Sequence, residues 1–407
     1  MRSVSREPIQ PTLFGPEIGT DAPPAAADAA VNGRDPAPVA PASGEAAYRS
    51  RQLITCIGNK RALAPRIEEA VHRVRRRLGG RRLRAADLFA GSGVVSRHLK
   101  AHASYLAAND LEEYSAAISR CFLRNRSEVD LDALREAADA LNALVDTAPL
   151  PPGFIAELYA PRDESRIAPG ERVFYTRENA RRLDDYRRRL GELGPETREM
   201  LLGPLLSEAS VHANTAGVFK GFYKDRTTGI GRFGGSGADA LSRILGRIEL
   251  DVPVLSEHEC DVEVFRQDAN AVAGSLADLD LAYLDPPYNQ HPYGSNYFML
   301  NLLVRYERPR EISRVSGIPV DWNRSGYNVR GRSLGLLRDL FERTDSRFLL
   351  VSYSNEAFVS HTEMVAALES VGRVQAIDIP YTVFRGSRNI AGRSARVTEH
   401  LFLVERR

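Results

Sequence analysis

The stretch Leu279-Asp280-Leu281-Ala282-Tyr283-Leu284-Asp285-Pro286-Pro287-Tyr288 decides how the chain is read. Its apolar positions Leu279, Leu281 and Tyr283 predict a short buried strand. The two prolines stop that strand abruptly, because each fixes φ and lacks an N–H. Pro-Pro alone marks nothing more than a strand end. The tetrapeptide Asp285-Pro286-Pro287-Tyr288 brings a carboxylate, carbonyls with no competing N–H and a ring that can stack. That set suits the exocyclic amine of a nucleobase drawn out of its helix.

Working outward, Leu83 to Phe89 predicts a second strand, which runs into Asp87-Leu88-Phe89-Ala90-Gly91-Ser92-Gly93-Val94-Val95 and a helix through Leu99. Glycines at a strand-to-helix turn let the backbone approach a ligand, with helix N–H groups aimed at it. The third glycine of the dinucleotide fingerprint is missing, so a nucleoside site is favoured. Tyr105 to Ala108 predicts a strand ending at Asn109-Asp110. Asp110 follows the glycine turn at about the 20-residue spacing of a ribose-binding acid, although a helix cap for the segment from Glu112 is the competing reading. Val262 to Phe265, leading to Asp268, and the runs 348–353, 374–379 and 400–404 predict four more strands. Short apolar runs separated by helical stretches predict an α/β fold, with a mostly parallel sheet covered on both faces.

The composition, 43% hydrophobic and 27% charged over 407 residues, is that of a soluble globular protein of two domains or one enlarged domain. No apolar run reaches the roughly 18 residues of a membrane span, and the N-terminus has no signal-peptide core, so a cytoplasmic protein is expected. Cys56, Cys121 and Cys260 are spaced too widely for a disulfide framework or a zinc pattern. The net charge of +2 conceals residues 51–84, where eleven Lys/Arg face two acids, which favours an anionic partner such as DNA.

Residues 1–48 lack apolar periodicity and read as a disordered tail. Gln52 to Ile57 reads as a strand or extended segment, and Leu63, Ile67, Val71, Val74 and Leu78 then fall at helical spacing. Residues 126–261 interrupt the α/β rhythm with a helix over Leu131 to Leu144 and an arginine-rich stretch at 172–189. From Phe219 to Phe233, aromatics, Lys and Arg alternate with glycines, as in a loop or hairpin lying on nucleic acid, with a surface loop that buries its aromatics as the competing reading. Lys220 and Lys224 are expected to hold phosphates, and Arg226 and Arg232 to read base edges. If they do not, 172–189 is the next candidate reader.

Together, Ile57-Gly58-Asn59-Lys60, the glycine turn from Asp87 to Gly93, Asn109-Asp110, Asp285-Pro286-Pro287-Tyr288, the following Asn289 to Tyr297 and Val397-Thr398-Glu399-His400-Leu401 resemble the D12 class of DNA N6-adenine methyltransferases, the Dam-like alpha group. The resemblance implies a Rossmann-like, S-adenosylmethionine-dependent sheet with an inserted, largely helical target-recognition domain. On that reading 49–125 is the cofactor half, 126–261 the insertion and 262–407 the catalytic half. It implies that Asp285, Pro286, Pro287 and Tyr288 are catalytic. Gly58 and Lys60 would lie against the methionine end of the cofactor, and Gly91 and Gly93 would line its pocket beside Asp87. Asp110 would hold the ribose, with Asp268 near the adenine. No metal is implied, because a sulfonium methyl is already activated. The expected partners are double-stranded DNA and a cognate restriction endonuclease. Competing readings are methylation of cytosine N4 or of RNA adenine, and a DNA-binding relative without catalysis. Asp285 at the first motif position favours adenine, the long insertion favours duplex DNA, and the intact acids favour catalysis.

Overall fold

Seven strands form one sheet: β1 (Leu83–Asp87), β2 (Ala103–Asn109), β3 (Asp261–Phe265), β4 (Leu279–Leu284), β5 (Ser346–Ser354), β6 (Gly372–Thr382) and β7 (Arg396–Arg406). They lie in the order β3-β2-β1-β4-β5-β7-β6. The computed structural model describes residues 44–235, 238–382 and 396–407. The five strands from β3 to β5 are parallel neighbours, and β7 runs antiparallel between β5 and β6. Side chains alternate between the two faces, as strand geometry requires. Leu281, Tyr283, Phe348, Leu350, Leu401 and Leu403 enter one core, and Ala282, Leu284, Leu349, Val351, Phe402 and Val404 the other.

Helices cover both faces. Before and between the first strands stand α1 (Gly44–Ser50), α2 (Ala64–Arg77), α3 (Val94–Lys100) and α4 (Glu113–Phe122). The predicted 3.6 periodicity is realised in α2, where Ile67, Val71 and Val74 are buried against the Leu281 face. Gln52 to Ile57 runs without joining the sheet and buries Leu53 and Ile54. The expected tail lies outside the described residues through position 43. Residues 44–48 depart from it, because they open α1. There Tyr48 is buried, and its hydroxyl donates to the Phe122 carbonyl at 2.9 Å.

Within 126–260 the described residues hold five α-helices and no strand of the sheet: α5 (Leu131–Thr147), α6 (Phe154–Tyr159), α7 (Arg177–Glu192), α8 (Pro195–Val211) and α9 (Ala238–Leu245). The remaining helices are α10 (Ala269–Ala273), α11 (Tyr293–Asn296), α12 (Phe298–Arg305), α13 (Arg330–Arg343) and α14 (His361–Glu369). Helices α5 to α8 share one apolar core with Tyr114, Ile118, Cys121 and Phe122 of α4 and with Phe298, Leu302 and Leu303 of α12. Gly203 sets the closest approach, since a Cβ there would stand 2.5 Å from the Cys121 sulfur.

The chain leaves β1 toward β2 and leaves β4 toward β5, so the strand order reverses between β1 and β4. In open α/β sheets the crevice outside the carboxyl ends at such a point receives the ligand. Asp87 ends β1, Asn109-Asp110 ends β2 and Asp285 follows β4, which puts three carboxylates around one crevice.

Candidate active site

The crevice is a cleft of about 910 Å³, counted to its open mouth. Its walls bring together Gly58, Lys60, Asp87, Gly91, Asp110, Asp268, Asp285 and Pro287 from motifs spread over more than half the chain. Of the other expected site residues, Gly93 stands behind the wall with φ +75° at the start of α3. Pro286 is buried, and the Tyr288 ring meets Tyr353 edge-on at 6.1 Å. Gly91 has φ +55° and Gly58 φ +73°, both in the region that favours glycine. At Gly58 a Cβ would reach to 3.2 Å from the Tyr293 hydroxyl, so this wall is shaped for close approach.

Asp285 is held from behind. The Lys60 ammonium lies 2.9 Å from Asp285 Oδ1 and 3.1 Å from Glu399 Oε1, and it donates to the Gly58 carbonyl at 3.4 Å. Glu399, on β7, also accepts from the Ser352 hydroxyl at 2.7 Å. Burial pushes Asp285 up to about 6 against the opposing pull of Lys60. Lys60 itself is buried, which disfavours its charge, yet Asp285 and Glu399 together raise its pKa well above the ordinary value. At neutral pH the pair is therefore carboxylate and ammonium. Sequence alone turned Lys60 toward the cofactor and gave Glu399 no role.

The remaining acids line the same cleft. Asp110 accepts from the Gly91 N–H at 2.8 Å and the Glu112 N–H at 2.9 Å, so it ties the glycine turn to the start of α4. It does not cap α4, whose N-cap is Glu112 without a side-chain cap bond, and it keeps its place on the cleft wall. Asp87 takes the Ser96 hydroxyl at 2.6 Å, and burial, reinforced by Asp285, pushes it up to about 7. Asp268 caps α10 through the N–H of Asn270 at 3.0 Å. Glu112, which the motifs do not cover, is buried and lines the same cleft. It accepts from Asn301 at 2.6 Å and Asn323 at 3.1 Å, and burial plus the nearby Asp110 raises it to about 7. An acid two residues after Asp110 was the available signal for it.

The basic stretches separate sharply. The arginines of 51–84 are largely engaged at the far end of the sheet from the cleft: Arg81 with Asp280, Arg77 with Glu405 and Arg73 with Gln375. These contacts take up part of the charge that favoured DNA on composition. Phe219 to Phe233 forms a tight hairpin, with Asp225 N–H to the Ile230 carbonyl at 2.8 Å and Arg232 N–H to the Tyr223 carbonyl at 2.9 Å. Phe219, Phe222 and Tyr223 are buried, Lys220 and Lys224 half-buried, and Arg226 and Arg232 exposed.

No helix among the described residues is long and apolar enough to cross a membrane. The chain is 28% identical over 331 residues to the type II methyltransferase M.NlaIII of Neisseria lactamica, covering 79% of this chain and 90% of that one. It is 27% identical over 325 residues to the type II methyltransferase M.CviAII of Paramecium bursaria Chlorella virus 1, covering 78% and 89%. With the modification methylase StsI of Streptococcus sanguinis it shares 25% over 370 residues, 86% of this chain but 52% of that one. A family model described as D12 class N6 adenine-specific DNA methyltransferase matches residues 57–316. That span runs from the Gly58 wall of the cleft through Asp285 and beyond, and the chain belongs to this family of DNA adenine methyltransferases.

Proposed function

We propose that the protein moves the methyl group of S-adenosylmethionine to N6 of an adenine flipped out of duplex DNA at a specific site, in the cytoplasm and alongside a cognate restriction endonuclease. The observation that carries this reading is the Asp285 carboxylate, set at the end of a fully buried strand and facing the same cleft as Asp110 and the glycine turn. The donor set fits the cofactor: a close-approach backbone at Gly58 and Gly91, Asp110 for a ribose diol, and Asp268 beside the half-buried Phe89 for an adenine. Once bound, S-adenosylmethionine supplies a methyl group already activated by its positive sulfur.

The chain's own work is at N6. That nitrogen is a poor nucleophile because its lone pair is delocalised into the ring. Asp285 Oδ2 and the Pro286 carbonyl each accept one N6–H, which favours the tetrahedral geometry of attack. The positive charge that develops on N6 then sits beside a carboxylate, and stabilisation arising only in the transition state raises the rate. Holding both reactants in one cleft removes the cost of bringing them together. Tyr288 stacks on the flipped base and offsets the stacking it loses. The relatives' names as type II enzymes support the endonuclease partner and site-specific action.

The test is transfer of labelled methyl groups from S-adenosylmethionine into duplex DNA, followed by nucleoside analysis. The label is expected in N6-methyladenine, and label in cytosine or in RNA alone overturns the reading. Asp285→Ala abolishes transfer while calorimetry still detects the cofactor. Asp110→Ala instead weakens the cofactor on the order of tenfold, the cost of a charge-assisted hydrogen bond.

A further inference from the structure

We infer that Glu399 is a positioning residue for methyl transfer: it shares the Lys60 ammonium with Asp285 and so keeps the acceptor side of the cleft net negative. The inference rests on Asp285 being the N6–H acceptor. Glu399 lies on β7, at the far end of the chain from Lys60, and is buried where β7 pairs with the end of β5. Oε1 takes both the Ser352 hydroxyl at 2.7 Å and the Lys60 ammonium at 3.1 Å. Asp285 Oδ1 takes the same ammonium at 2.9 Å. One buried cation thus serves two carboxylates, the buried Glu399 and the half-buried Asp285, whose bonded oxygens stand no more than about 6 Å apart.

The charge count gives the consequence. A lone Asp285–Lys60 pair would be neutral, and an ammonium held by one carboxylate alone draws down that carboxylate's power to accept from N6. With Glu399 the cluster carries one net negative charge. Methyl transfer moves positive charge onto N6, the atom that faces Asp285, where a net negative cluster stabilises it. Ser352 keeps Glu399 turned toward Lys60 and away from solvent. The groups that face Asp285 are Lys60 and Cys56 from the segment before α2, Asp87 at the end of β1, Tyr283 on β4, Tyr293 on α11 and Glu399 itself. Among these Lys60 lowers the Asp285 pKa and Glu399 raises it, both against the larger effect of burial.

Glu399→Gln keeps the shape and the hydrogen bonds but removes the charge. Single-turnover methyl transfer is read across pH, with cofactor affinity by calorimetry and thermal melting as controls. The expected result is a rate about tenfold lower near pH 8 and an acidic limb moved down by about one unit, because a like charge at this range raises a carboxylate's pKa by one unit or more. Cofactor affinity stays within about twofold. Asp285 must be ionised to accept N6–H, so losing the charge that raises its pKa moves the limb downward. Ser352→Ala gives a smaller change of the same sign, and it carries the test if Glu399→Gln melts early. A slower enzyme with an unmoved limb makes Glu399 a merely structural residue, and an unchanged rate removes it from the reaction. Either outcome overturns the inference. If the wild type puts no methyl on adenine, or Asp285→Ala still transfers, the underlying reading fails instead, and the two failures are distinct.

Discussion

Two arginine-bearing stretches within residues 126–261 look alike in sequence and differ in how the fold engages them. On α7, Arg182 is fully buried and donates to the Ile248 carbonyl at 2.6 Å, to Asp146 at 2.5 Å and to the Tyr186 hydroxyl at 2.7 Å. Arg187 donates to the carbonyls of Leu303 and Val304 at the end of α12, and Arg189 pairs with Asp185 at 2.6 Å. Just ahead of α7, Arg172 donates to the carbonyls of Leu158, Ser313 and Arg314. In the hairpin 219–233 the aromatics go inward and Arg226 and Arg232 remain exposed. Helix ends and loops leave carbonyls without partners, and a guanidinium with five donors is well suited to satisfy them. An arginine is free to read DNA only where no carbonyl or acid of the fold has claimed it. These bonds favour the hairpin over 172–189 as the base reader, which the variants below test.

The comparison can be broken at either end. Its largest expected effect is Arg182→Ala, which strips three partners of a buried cation and should cost about 3–5 kcal/mol of stability. Denaturant unfolding measures it, and a loss under about 1 kcal/mol would mean that the α7 arginines are not structural. The double change Arg226→Ala, Arg232→Ala should leave stability within about 0.5 kcal/mol. It should also relax the methylated motif by about 1–3 kcal/mol per lost bidentate contact. Methylation-sensitive long-read sequencing from expressing cells decides this, and an unchanged motif moves readout off the hairpin. The smallest effect belongs to Lys220→Ala and Lys224→Ala. Each should weaken duplex binding alike on all sequences and reduce the salt slope by about one. Lys220 is the less certain donor of charge, because burial lowers its pKa.

What the sequence made legible was local. The buried strand ending at Asp285, the glycine turn and Asp110 each declare themselves within ten residues, through alternation and strand-end chemistry, and all three line the cleft. What stayed hidden depends on distant partners. Lys60 could be read as a cofactor ligand because nothing near it announces Glu399 or Ser352. The charge of 51–84 pointed outward until Asp280 and Glu405, from remote strands, were seen to take Arg81 and Arg77. Residues 44–48 resembled tail because the burial of Tyr48 is supplied by Phe122 and by Arg97, which donates to the Tyr48 carbonyl.

The close approach of Gly203 to Cys121 bears on how such an enzyme can change its target. The helix that carries Cys121 begins just after the acid that ties down the glycine turn, so the part that would recognise DNA and the part that would hold the methyl donor are moulded onto each other. A relative's recognition segment could not be transplanted as a cassette without also refitting α4 and α12. A hybrid joined at residues 126 and 261 should therefore melt at a lower temperature than its parent unless α4 and α12 are exchanged with the segment.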